Sequence, residues 1–308
     1  MALGLKTVRV GVFTDPENRT GCTVVLPPDG SVGGVSVRGG APGTREVAVM
    51  SAASPNTAVH AVVLGGSSLF GLRAASGVAD WCVDNDIGFD LPGGRFPIVG
   101  AAVVLDIASP QERRVTAEDG YAACVAASAD EPSMGPVGVG TGCTAGKDRG
   151  RDWSVPAGQG WAVVRHGDLT VGALMGVNPV GAVVAEDGSI LAGSKAPLHY
   201  PRYPQSAIGE LFNADGNPAD IAAADETTAT NTVIGCVVTN AILDKAAACR
   251  VADLAHTGIA RSVSPAHTSL DGDAMFAIGT GQVQTRTDLV SELAAQAVAT
   301  AIRAAVSA

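Results

Sequence analysis

Hydrophobic positions along the chain follow two rhythms, one of period two and one close to period four. Near the N-terminus Val8, Val10 and Val12 are spaced by two, and the segments TGCTVVLP and GVSVRG flank the turn pair Asp29-Gly30, so the chain opens with β-structure. AVHAVVL then reads as a buried strand. It runs through Gly65-Gly66-Ser67-Ser68 into a helix whose apolar face includes Leu69, Leu72, Ala75, Ala79 and Cys82. The strand FPIVGAAVVLDI and a short helix around GYAACVAASA follow. From 135 to 193 the pattern is strand and turn, with His166-Gly167-Asp168 and Glu186-Asp187-Gly188 as reversals, which predicts hairpins.

Residues 194–230 break both rhythms. They hold four prolines and no sustained apolar period, and a stretch of that length in a compact domain is functional or mobile rather than filler. Beyond it the pattern returns as the strand TVIGCVV, a helix over 244–261 with Val251, Leu254, Ala255 and Ile259 at helical spacing, and the strand AMFAIG. A last helix starts at Thr287, where Leu289, Leu293, Ala297 and Ala301 make a stripe that Val290, Ala294 and Val298 widen. Strands in runs and helices in pairs predict an α/β (α+β) domain of stacked sheets covered by helices on both faces.

Composition narrows the function classes. At 308 residues and 46% apolar content the chain can bury a large core, and a net charge of −10 removes the attraction for nucleic acid and anionic membranes. The 39 glycines and 4% aromatic content point to close packing of helices on sheets over small side chains. Cys22, Cys82, Cys124, Cys143, Cys236 and Cys249 form no CxxC pair and sit mostly in apolar runs, as reduced core residues do. The N-terminal segment alternates like a strand and lacks the apolar block of a secretion signal, no apolar run reaches the length of a membrane span, and the Asn18-Arg19-Thr20 sequon then has no glycosylation context. A cytoplasmic protein is the expectation.

Most candidate chemistry fails on spacing. His60, His166, His199, His256 and His267 form no HxH or HExxH motif, and Asp271-Gly272-Asp273 lacks the remaining ligands of a calcium loop, so no metal is expected; His256 reads as a helix-surface or core residue. GVGTGCTAGKDRG has Thr141 where a phosphate-binding loop needs its first glycine and Asp148 where it needs a hydroxyl. GTGCTA fits a dinucleotide fingerprint, but Lys-Asp-Arg-Gly and Pro156 follow instead of a helix, so no cofactor is expected. VVLGGSSLFGL has the order of a serine nucleophile elbow without its last glycine, which leaves Ser67 and Ser68 as helix-capping residues.

Asn231-Thr232 is different, because there a polar passage turns into a core strand at a hydroxyl residue. A threonine at a chain terminus can use its own α-amine, of reference pKa ~8, as proton acceptor. Cleavage before Thr232 would create that residue at the first position of a strand. The dipeptide alone leaves a second reading open, a polar loop end meeting a strand, and Asn56-Thr57 is another copy.

The longer phrases decide between them. RTGCTVVLPPDGSVGGVSVRGGAPGTRE, VHAVVLGGSSLFGLRAASGVADW, RFPIVGAAVVLDI, VGVGTGCTAGK, GALMGVNPVGAVV and NTVIGCVVTNAILDKAAACRVADLAHTGIARSVSPAHTSLDGDAMFAIGTG resemble, in order, the L-aminopeptidase/D-esterase family, which includes β-peptidyl aminopeptidases and 6-aminohexanoate-oligomer (nylon-oligomer) endohydrolases. The resemblance implies a single-domain, four-layer αββα sandwich like that of N-terminal-nucleophile hydrolases. It implies a precursor cut between Asn231 and Thr232 into chains 1–231 and 232–308, with 194–230 as a mobile processing linker. It also implies a homo-oligomer, a tetramer by family habit, acting on a short peptide or oligoamide. By motif position Thr232 is the nucleophile, Lys147 the cation beside it and Asn178 an oxyanion donor. Asp271 and Asp273 stand where other members carry serine and glutamate; two apart on an extended chain, they point to the same side and could face Thr232. Asparagine before threonine favours the oligoamide branch, and Leu105 stands where a tyrosine is expected. A non-catalytic relative that binds a small molecule or serves as an assembly subunit is the alternative.

Overall fold

A computed structural model describes residues 5, 8–107, 109, 111–197 and 231–308, so the linker expected over 194–230 falls, from residue 198 onward, outside the described residues. Two five-stranded sheets lie face to face. The first has the order Arg9–Asp15, Thr20–Leu26, Ala61–Gly65, Val99–Val103, Thr44–Arg45, and the second Gln159–His166, Leu169–Asn178, Thr232–Ala241, Ala274–Val283, Val32–Val37. Helices Ala74–Asp84 and Ala117–Val125 cover the first sheet, while Lys245–Ser262 and Thr287–Ala304 cover the second. This is the four-layer αββα arrangement that the family resemblance implies.

Period-two alternation explains why both faces of a strand are buried. On the first sheet Cys22, Val24, Ala61, Val63, Val99 and Ala101 pack toward its helices, and the intervening Val25, Val62, Leu64 and Ala102 join the larger core shared with the second sheet. Each sheet contains a parallel pair joined across a helix: Ala61–Gly65 with Val99–Val103, and Thr232–Ala241 with Ala274–Val283. The reversal at His166-Gly167-Asp168 closes a long antiparallel hairpin, with Gly167 at φ 58°. Asp29-Gly30, by contrast, joins strands that belong to different sheets and carries the chain from one layer to the other. All six cysteines are free and buried, and His256 is a fully buried core residue.

Two local expectations change. Ser67 and Ser68 are not side-chain caps: both sit at positive φ, 62° and 52°, and Ser67 instead donates its N–H to Asp106 Oδ1 at 2.6 Å and accepts from Val115 N–H at 3.0 Å. The backbone therefore bends sharply before a 3-10 turn, Ser68–Arg73, leaving Leu69 64% exposed and starting the α-helix only at Ala74. The following short helix begins earlier than its apolar pattern, at Ala117, because Thr116 and Asp119 form a reciprocal capping box. Among the described residues no helix is long and apolar enough to cross a membrane.

Small residues let the two helices over the second sheet approach backbone to backbone. A Cβ on Gly258, in helix Lys245–Ser262, would lie 2.4 Å from the Ala295 carbonyl oxygen of helix Thr287–Ala304. Gly258→Val is expected to force these helices apart, costing about 2 kcal/mol or more and lowering the thermal midpoint by about 5 °C, measurable by calorimetry.

Candidate active site

The strand Thr232–Ala241 is central in its sheet, and its first residue pairs with Asn178, the last residue of Leu169–Asn178. Cross-strand partners in an antiparallel ladder present their side chains on one face, so Thr232 and Asn178 form the polar end of an otherwise apolar seam. On its other side the strand runs parallel to Ala274–Val283 from Ile234 onward, and a bridge from Asn231 to Asp271 continues the same register three residues earlier. Asn231, Thr232 and Asn178 are 3%, 5% and 1% exposed, so the Asn231–Thr232 bond lies inside the protein.

Asn178 ties this end to the glycine-rich loop before it. Its Oδ1 accepts from Thr144 N–H at 2.9 Å and from Lys147 Nζ at 2.7 Å, while Nδ2 donates to the Leu105 carbonyl at 3.0 Å. The amide that the family resemblance assigns to a substrate carbonyl is thus engaged, in the continuous chain, by the main chain of Leu105. Lys147 is buried, and Nζ also reaches Thr144 O at 2.7 Å, Thr144 Oγ1 at 3.2 Å and Asn178 O at 3.1 Å. These four acceptors are dipoles. Burial therefore dominates and lowers the ammonium from 10.5 to about 7, against the opposing pull of Cys143 and Asp271.

Asp271 and Asp273 bracket Gly272, and each is 1% exposed. Asp273 Oδ1 accepts from Val233 N–H at 2.7 Å, and Oδ2 meets the His267 N–H at 3.1 Å and its ring Nδ1 at 2.7 Å. Asp271 Oδ2 takes the N–H and hydroxyl of Thr268 at 2.9 and 2.6 Å, and Oδ1 takes Val180 N–H at 3.4 Å. Burial first, and then the charge of Asp273, raise the Asp271 pKa. Asp273 thus fixes the backbone just after Thr232, while Asp271 fixes that of Thr268 and Val180, and neither carboxylate bonds Thr232 directly. Gly272 between them aims its N–H at both Thr232 Oγ1, 3.3 Å, and the Asn231 carbonyl oxygen, 3.2 Å, which the Thr232 hydroxyl also touches. A Cβ at 272 would sit 2.9 Å from that hydroxyl oxygen and 2.8 Å from Ala41 O, so only glycine allows the approach.

All five side chains assigned from the sequence thus collect at one end of the central strand. Sequence reasoning missed Thr144, Gly272, His267 and the Leu105 carbonyl. Thr144 and Gly272 lie inside quoted motifs, GTGCTA and DGD, but a backbone donor or a dipole on a lysine leaves no signature in residue type. A cavity of about 190 Å³ opens beside the cluster, lined among others by Leu105, Thr144, Arg19, Arg151, Asp106 and Asp152. A larger one, about 420 Å³, lies between Val164, Glu186, Arg261 and Arg303 and shares none of the cluster's residues. Among the described residues no group of three His, Cys, Asp or Glu side chains could hold a metal ion, and GVGTGCTAGK forms a 3-10 turn and a two-residue strand with no helix N-terminus for a phosphate.

The fold is like that of N-terminal-nucleophile hydrolases. The whole chain superposes on the L-aminopeptidase D-Ala-esterase/amidase of Ochrobactrum anthropi with a TM-score of 0.69 at 20% identity, covering 99% of this chain and 85% of that one. The likeness to a Burkholderia β-aminopeptidase is similar, TM-score 0.69 at 21% identity, covering 99% and 85%. The chain belongs to peptidase family S58, whose family model matches residues 4–308. It is 39% identical over 290 residues to an uncharacterised aminopeptidase of Mycobacterium tuberculosis, 90% of this chain and 80% of the relative. To the 6-aminohexanoate-oligomer endohydrolase of Paenarthrobacter ureafaciens it is 31% identical over 288 residues, 91% and 75% of the two chains.

The depressed Lys147 predicts a pH slope. Between about 7 and 10.5 the unfolded chain binds a proton at this lysine that the folded chain does not, so stability rises with pH across that window. Urea unfolding of the wild type and Lys147→Met at pH 7 and 9.5 is expected to show a more positive slope in the wild type.

Proposed function

We propose that the protein is a self-processing amide hydrolase whose nucleophile is Thr232, matured by cleavage of the Asn231–Thr232 bond into chains 1–231 and 232–308. One observation carries this reading: the Thr232 hydroxyl lies against the Asn231 carbonyl, on which a backbone N–H from Gly272 is already trained. In processing, the Thr232 oxygen bonds to the Asn231 carbonyl carbon while Lys147, neutral above about 7, takes the hydroxyl proton. The Gly272 N–H stabilises the oxyanion. Collapse breaks the C–N bond, the Thr232 nitrogen takes a proton, and water hydrolyses the resulting ester to leave a free α-amine at Thr232.

In turnover the same oxygen attacks a substrate amide and the α-amine carries the proton to the leaving nitrogen. Asn178 and Gly272 serve as oxyanion donors, and water then resolves the acyl-enzyme. Substrates are short peptides, amino-acid amides or oligoamides such as 6-aminohexanoate oligomers. The higher identity to the mycobacterial aminopeptidase and the modest cavity beside the cluster support the first two, while asparagine before the nucleophile supports the oligoamides. The working form is a homo-oligomer of these matured units.

Hydrolysis of amino-acid p-nitroanilides and of linear 6-aminohexanoate oligomers by the wild type, Thr232→Ser and Thr232→Ala tests the reading. Activity on at least one substrate, partly retained by serine and lowered by a factor of roughly 10³ or more by alanine, is expected. Undiminished activity in Thr232→Ala would assign the chemistry elsewhere. A wild type that binds these compounds without cleaving them would move the protein to a binding role.

A further inference from the structure

The SPAHTSLDGD segment carries a histidine that the reaction above does not use. Asp273 presents one carboxylate oxygen to Val233 N–H, at 2.7 Å, and the other to His267, through both main-chain N–H and ring Nδ1. The residue after the nucleophile is therefore joined to His267 through a single buried carboxylate. His267 sits at φ 56°, a left-handed conformation that is unfavourable for a side-chain-bearing residue and persists where its surroundings over-determine it. In that conformation His267 offers two donors to one oxygen.

The second ring nitrogen, Nε2, faces the His256 carbonyl oxygen at 3.4 Å. Oxygen atoms thus stand before both ring nitrogens, an arrangement that an imidazolium satisfies with two N–H groups and a neutral ring satisfies only at one. Every charged or titratable neighbour is identifiable. Asp273 follows on its own segment with Asp271 between, His256 meets the ring edge-on at 4.9 Å from helix Lys245–Ser262, and Arg38 approaches from the end of strand Val32–Val37, its guanidinium held by Asp253. His256 spends its Nε2 on the Ser36 carbonyl, and burial depresses it to about 4, so it stays neutral. For His267 burial pulls downward, but the hydrogen bond and charge of Asp273 outweigh it and raise the pKa above the ordinary 6.5.

We propose that His267 is a positioning residue for the reaction: through its main-chain N–H and ring Nδ1 it orients the Asp273 carboxylate that accepts the Val233 N–H, and so fixes the direction in which Thr232 presents its hydroxyl and amine. This rests on the reading of Thr232 as nucleophile. The sign follows from the raised value: the His267–Asp273 contribution is complete below the ordinary histidine pKa and disappears as pH rises through the folded one. Alignment is therefore lost on the alkaline side.

The test uses His267→Asn and His267→Ala, assayed on whichever of the p-nitroanilides or 6-aminohexanoate oligomers the matured enzyme cleaves. Asparagine tolerates the left-handed backbone and keeps a donor for Asp273 but does not titrate. His267→Ala is expected to lose kcat by roughly ten- to a hundredfold with KM within about threefold, as a small misplacement of the nucleophile would. His267→Asn is expected to restore most of that kcat and to remove the alkaline limb of the kcat–pH profile. If His267→Ala does not fold, the pH profile of His267→Asn decides alone. A wild-type alkaline limb persisting in His267→Asn would overturn the proposal. Thr232→Ala in parallel separates the two ideas: if it stays active, the nucleophile assignment has failed; if it is dead while His267→Asn titrates like wild type, only the role of His267 has.

Discussion

The last pair of one antiparallel ladder, Asn178 against Thr232, is the constraint on which the site depends. Strand side chains alternate between faces, so a one-residue slip of this register would turn Thr232 to the face opposite Asn178. The core enforces the register. Val233, Ile234, Cys236, Val237 and Val238 are all at most 1% exposed, and a shift would exchange side chains of different size between two closely packed faces. The hydrophobic pattern thus sets the position of Thr232, and the polar cluster is built where that pattern runs out.

Burial then shapes the chemistry of every group at that strand end. Lys147 donates to carbonyl and amide oxygens that favour its charged form, yet burial away from water outweighs them and lowers its pKa to about 7. Asp271 is pushed the opposite way by the same burial and by its neighbour Asp273. Such groups destabilise a fold unless bonded, and nearly every atom concerned has a backbone or side-chain partner. The result is a rigid hydroxyl, one carbonyl within reach of it and a fixed N–H to receive negative charge.

The architecture was legible in the sequence because alternation and helical stripes are repeated over many residues. TVIGCVV, AMFAIG and the two C-terminal helices announce themselves through ten or more buried positions each pair. Local backbone geometry was less legible. Ser67 and Ser68 looked like caps by residue type, yet Asp106, distant in sequence, holds the Ser67 amide and bends the chain before the helix. In the site, Thr232, Asn178, Lys147, Asp271 and Asp273 could be read by their place in long motifs. The Gly272 amide, the Leu105 carbonyl and the His267 ring could not, since their contributions arise from main-chain direction and tertiary contact.

The central claim is that this chain cuts itself at the start of its central strand, and intact-mass analysis of the purified protein under denaturing conditions tests it most directly. The account predicts two species, residues 1–231 and 232–308, with a free amine on Thr232. A single 308-residue species that persists on prolonged incubation at pH 8 would contradict it.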